Sequence, residues 1–217
     1  MRQLDFCQEK VYSVNMSKPK NNENRYHHGN LKDELIAVAR RFIEETGHGG
    51  LSLRKCADAI GVSPTAPQNH FGNKSGLLTA LAAEGYAELA TSMRETLASD
   101  ASRSERRKVA LQGYVSFAMA NPALYELMFS RNRIVDDDPV LLANIGDCFS
   151  ILADISQELD LLTDTDHNAA AKAQMFVWSL VHGYAQLVTA NRLKKSEMQG
   201  VDILSVFPEG KSPSPKS

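Results

Sequence analysis

Thr65, Gln68 and Asn69 lie within one short stretch, and their side chains suit the edge of a nucleic-acid base. Gln and Asn amides can each pair a donor and an acceptor with adenine, and a threonine methyl can pack on thymine. Around them stand Ser63, His70, Lys74 and the pair Arg54-Lys55, groups of the kind that meet phosphate oxygens rather than base edges. Lys74 opens a helix, whose first N–H groups already favour an anion. Upstream, Arg25, Tyr26, His27 and His28 form an arm that could reach a backbone or a minor groove.

The elements that must position these groups are legible from residue 51 onward. Ser52 is a good N-cap, and Leu53, Cys56, Ala57 and Ile60 fall on one helical face. Gly61 can take the left-handed conformation that ends this helix, and Val62 can plug the corner after it. Ser63 is the expected cap of the next helix, with Pro64 at its first position, where a missing N–H costs nothing. Two short helices around such a turn make a helix-turn-helix, and the second of them can lie in a major groove. Phe71 is assigned to packing.

The wider pattern supports this. Tyr26-His-His-Gly-Asn30 leads into a helix over about 31–46 bearing Leu31, Leu35, Val38, Ala39 and Phe42, and Asn73 caps a long helix over about 74–98. Over residues 26–82 the chain resembles the TetR/AcrR family of transcriptional regulators, most strongly at Gly61-Val-Ser-Pro, His70-Phe71 and Asn73-Lys74. The Tyr-His-His-Gly-Asn-Leu lead-in and Trp178-Ser-Leu-Val-His-Gly183 are similar to the subgroup with a Trp-His-Gly C-terminal domain. The resemblance implies a homodimer that binds double-stranded operator DNA, represses transcription there, and is released by a small effector. Two positions depart from the family pattern: Gln68 replaces the usual Tyr and Asn69 a more usual basic residue. Both leave the reading helix neutral, so affinity should rest on the flanking Lys and Arg. Pro67 falls in the first turn of that helix and removes only one internal bond.

The expected fold class is all-α, a three-helix DNA-binding head joined by a long helix to a helical ligand-binding and dimerisation bundle. The boundaries read as an N-terminal extension over 1–25, a head over 26–90, a body over 91–207 and a tail over 208–217; both ends are polar and aperiodic, and Met16-Ser-Lys reads as a translation start. Further helices are expected near 103–120, 122–130, from Leu141 to Leu159, and 167–191, the last capped by Asp164-Thr-Asp166. Aromatic and sulfur side chains concentrate there. Most fill a bundle core, and the resemblance implies that some line an effector pocket; Tyr114, Phe117, Met128, Phe149, Trp178 and His182 are the candidates, for a small apolar or aromatic molecule. The helix around 167–191 is apolar on more than one side, so it should also face a second copy, together with its predecessor and the short Ile203–Phe207 segment.

Composition narrows the alternatives. The chain has 217 residues, 43% hydrophobic, and a net charge of −2, which suits a packed core and not a generic polycation. Residues 17–78 carry nine Lys and Arg against six Asp and Glu; residues 79–217 carry thirteen against eighteen. Three scattered cysteines form no disulfide or zinc pattern, and the adjacent His27 and His28 diverge, so neither metal nor cofactor is expected. No phosphate loop, nucleophile elbow or triad pattern suggests an enzyme. A helical interaction module remains the other alternative, against which the polar Gln68, Asn69 and Lys74 argue. No apolar run is expected to span a membrane and no signal-peptide core opens the chain, so a cytoplasmic location is expected.

Overall fold

The computed structural model describes residues 31–94, 101–157, 159, 168–193 and 200–207; every described element is helical, and no strand occurs among these residues. The arm Arg25, Tyr26 and His27, the extension and the tail therefore lie outside the described residues, as do the caps Asp164–Asp166.

The head is built from α1 (Leu31–Gly50), α2 (Leu53–Ile60), α3 (Ala66–Phe71) and the start of α4 (Lys74–Arg94). The apolar residues of α1 are spaced by three and four, so Leu35, Ile36, Val38, Ala39 and Ile43 all turn inward and are buried. The break expected at Gly47 is present as a positive φ of 67°, but a further turn follows it to Gly50. That turn carries His48 into the core.

α4 runs from the head into the body and packs against α1, α3, α5 (Arg103–Ala120), α6 (Pro122–Met128) and α7 (Pro139–Ser156). A reciprocal capping box between Ser102 and Glu105 starts α5. At Gly113 α5 approaches α4 so closely that an added Cβ would sit 2.0 Å from the Ser92 carbonyl oxygen. Asn121-Pro122 ends α5 as expected, since the residue before proline disfavours the helical region. α8 (Ala169–Thr189) then buries Ala173, Val177, Val181 and Ala185, one strict line four residues apart, against α5 and α7. α9 (Ile203–Val206) is a single turn capped by Asp202 and packed on α5.

Several boundaries differ from expectation. α3 begins at Ala66, two residues later than Pro64, and no side chain caps it. Pro64 and Thr65 instead form a turn closed by the Ala66 N–H to Ser63 O at 3.0 Å, since Pro67 has no N–H to offer that carbonyl as a helical i→i−4 donor. The expectation for Ser63 as a cap is corrected: its hydroxyl pairs with the Thr65 hydroxyl at 3.0 Å. α6 stops at Met128, and α7 stops before Leu159, which still packs on the core. α7 is long and apolar enough to cross a membrane. Its two carboxylates are partly exposed and paired with arginines of neighbouring helices, Asp147 with Arg94, and Asp154 with Arg106 at 3.1 Å.

Candidate nucleic-acid interface and effector region

The helix-turn-helix forms as its sequence dictates. The Ser52 hydroxyl accepts from the Lys55 N–H at 3.2 Å, and Cys56 and Ala57 are fully buried. Gly61 adopts φ 70°, ψ 30°, and its N–H returns to the Ala57 and Asp58 carbonyls. Val62 and Ala66 are both half-buried at the corner. Pro67 is buried and Phe71 packs on the core, so α3 has a definite inner side. Ser63, Thr65, Gln68, Asn69 and His70 are all exposed on the other. Among the described residues the Gln68 and Asn69 amides have no hydrogen-bond partner, which leaves both donors and acceptors available to another molecule.

The cations of the head fall into two kinds. Arg54 is free to reach outward, its side chain 84% exposed and only loosely set against Asp58 at 3.9 Å. Lys55 and Lys74 are held: their amines donate to the carbonyls of Gly50 and His48, each at 2.8 Å. Both neutralise the last turn of α1, where helix carbonyls lack intrahelical partners. Two ammonium groups are thereby gathered at one edge of the head. Asn73 Oδ1 accepts from the Gly76 N–H at 3.0 Å and starts α4 beside them.

The joint between head and body was not foreseen. Arg40 on α1 donates to both oxygens of Glu88 on α4 and, at 2.7 Å, to Asn121 Oδ1 at the α5–α6 corner. Glu88, its first partner, raises the Arg40 pKa. His48 Nε2 lies 3.0 Å from the Ala123 carbonyl of the same corner and must donate to it. Two residues of α1 thus grip one corner of the body. On sequence alone Arg40 and Glu88 look like solvated surface, and only the burial of their neighbours Ala39 and Leu89 hints otherwise.

Deep in the body a polar cluster sits among aromatic rings. The Tyr125 and Tyr114 hydroxyls lie 2.8 and 3.1 Å from His182 Nδ1, and 3.3 Å from each other. Two hydroxyl protons face one lone pair. In the tautomer that leaves Nδ1 unprotonated, Nδ1 accepts from one hydroxyl, whose oxygen accepts from the other. Burial pushes the Tyr125 hydroxyl up to about 12, raises Tyr114 further, and lowers His182. Phe129 meets His182 edge-on at 4.4 Å, and Phe149 meets Trp178 likewise at 5.0 Å.

Of the six candidate pocket residues, Tyr114, Phe117 and Met128 are buried and Phe149, Trp178 and His182 half-buried, all six within this packed interior. Phe117 borders a hollow of about 370 Å³ beside Glu88 and Asn121. A hollow of about 560 Å³ lies on the other side of α5, against α8 and α9, and none of the six lines it.

Comparison with known proteins places this arrangement. Residues 107–204 match the model of the "Tetracyclin repressor-like, C-terminal domain". A protein of unknown function from Rhodococcus sp. RHA1 superposes with a TM-score of 0.66 at 29% identity, covering 81% of this chain and 91% of that one. The body thus carries a TetR-type C-terminal domain. A TetR-family transcriptional regulator from Haemophilus influenzae RD shares this fold at 15% identity, with a TM-score of 0.56 over 80% of this chain and 91% of that chain. The HTH-type transcriptional repressors AcnR of Corynebacterium efficiens and Corynebacterium glutamicum are 38% identical over 66 residues, 30% of this chain. That match spans 35% of the length of those relatives.

Proposed function

We propose that this chain is a TetR-family, sequence-specific DNA-binding regulator of the cytoplasm, not an enzyme, that represses transcription by occupying an operator as a homodimer and is released by a small apolar or aromatic effector. The observation that carries the reading is the exposed outer side of α3, where unpartnered Gln68 and Asn69 stand beside Thr65 on a helix whose other side is packed. The similarity to two HTH-type repressors points the same way. Residues 26–90 serve as the reading head and 91–207 as the responding body. The Trp178 and His182-Gly183 motif supports a place in the Trp-His-Gly subgroup.

In this reading Thr65, Gln68 and Asn69 meet base edges, while Ser63, His70, Arg54, Lys55 and Lys74 meet phosphates, joined by Arg25, Tyr26 and His27 of the arm. Lys55 and Lys74 act from fixed positions, since α1 carbonyls hold them. The second copy docks on the outer side of α7 and α8. There Leu142, Met175, Phe176 and Leu187 are exposed, and an added Cβ at Gly183 would meet nothing within 4 Å. A single head binds weakly, and a symmetric pair reads two half-sites about one helical turn apart. Selection of binding sequences from random duplex DNA tests the proposal. The expected product is a two-fold-related pair of half-sites, bound with strong salt dependence; recovery of unrelated sequences would contradict it.

A further inference from the structure

The hollow on the outer side of α5 has the size and lining of a small-molecule site. Its volume of about 560 Å³ falls within the roughly 300–1,000 Å³ typical of ligand pockets. Val115, Met119, Val188, Val201 and Ile203 make its walls apolar, with Gln112, Ser116 and Tyr184 set among them. Met119 is 59% exposed and Val201 37%, so apolar surface stands open at its mouth. At the Tyr114–Tyr125–His182 cluster, by contrast, the two hydroxyls and Nδ1 are already engaged with one another.

Charge limits the occupant. Asp202 lies on the rim, and no Lys or Arg is among the described lining residues, so against these an anion would meet a carboxylate. The Tyr184 hydroxyl donates to the Val201 carbonyl at 2.6 Å and keeps a lone pair for a ligand's donor. Burial, then Asp202, raises the Tyr184 pKa, so the phenol stays neutral at ordinary pH. We infer that this groove binds an elongated apolar molecule bearing an uncharged or positively charged hydrogen-bonding head. Position gives the site a consequence, which rests on the regulatory reading above. α5 carries Val115 and Met119 on this side, Tyr114 and Phe117 in the core, and at its end Asn121, which holds Arg40 of the head. An occupant that shifts α5 shifts the grip on α1.

The test uses the full chain and the neutral fluorophore N-phenyl-1-naphthylamine, whose emission rises in an apolar site. Saturable binding is expected, displaced by 1-decanol and decylamine, with decanoate weaker by about tenfold or more. Met119→Glu at the mouth and Val188→Trp in the wall should each weaken the probe at least about tenfold with helicity unchanged. Val140→Glu, equally exposed but on α7, should leave it unaltered. Absence of saturable binding, equal displacement by decanoate, or survival of binding in both groove variants would overturn the site. Operator affinity is read separately: a bound probe and decanol that leave it unmoved would count against ligand release and not against the groove.

Discussion

The outer side of α3 and the Tyr114–Tyr125–His182 cluster hold similar polar chemistry turned in opposite directions. In the cluster both hydroxyls and His182 Nδ1 have partners within the chain, and burial makes those partners obligatory. On α3, Gln68 and Asn69 are exposed and have no partner among the described residues. Groups satisfied internally specify the fold; groups left unsatisfied at a well-held surface are available for recognition. Substitutions in the two regions should therefore separate stability from specificity.

The largest stability effect is expected from His182→Leu. It removes the acceptor of a buried hydroxyl pair, and an orphaned buried group costs about 1–3 kcal/mol. For a chain of this size each kcal/mol corresponds to roughly 2–4 °C, so calorimetry should register a loss of several degrees. The ranking of DNA sequences should not change; if it did, the cluster would belong to recognition.

Arg40→Ala should act between the two regions. It frees Glu88 and Asn121 and loosens α1 from the body, with a stability cost of about 1 kcal/mol for this half-exposed group. Operator affinity should remain measurable, while any effector response should shrink because the head is no longer gripped at the α5–α6 corner. An unchanged response with intact helicity would mean that the head is coupled elsewhere.

The pH dependence follows from His182. Burial depresses its folded pKa below the ordinary value of about 6.5, so the unfolded chain takes up the proton more readily. The stability involved is fully present above about pH 6.5 and is lost as pH falls through the folded pKa. Melting of the wild type should fall more steeply between pH 7 and 5 than melting of His182→Leu. Parallel curves would remove His182 as the cause.

The smallest effect compares two cations of the head. Arg54→Ala should flatten the slope of log affinity against log salt by about one unit without altering melting. Lys74→Ala should flatten it similarly but also lower melting slightly, since its amine holds the His48 carbonyl. Identical melting of both variants would show that this bond contributes nothing to the fold.

How much of this was legible in the sequence depends on the range of the interaction. Gly61, Ser52 and Asn73 act within a few residues, so their turn and caps could be read directly, and α2 has the expected ends. α3 was misjudged at its start because two prolines three residues apart offer competing first positions, and burial of Pro67 decides between them. The Arg40–Glu88–Asn121 joint spans 81 residues of sequence, and polar surface residues on three elements give no periodic signal. The aromatic residues of the body were recognised as a group. Their hydrogen bonds, and the groove on the opposite side of α5, depend on how helices cross, which spacing does not encode.

The claim at the centre of this account is that the outer side of α3 reads bases. Gln68→Ala combined with Asn69→Ala, measured by titration against a selected operator and a scrambled duplex of equal length, tests it most directly. Each lost paired contact is worth about 1–3 kcal/mol. The operator should therefore lose affinity roughly 5–150-fold per contact while the scrambled duplex and the melting temperature stay as they were. Equal losses on both duplexes, or an unchanged preference for the operator, would contradict it.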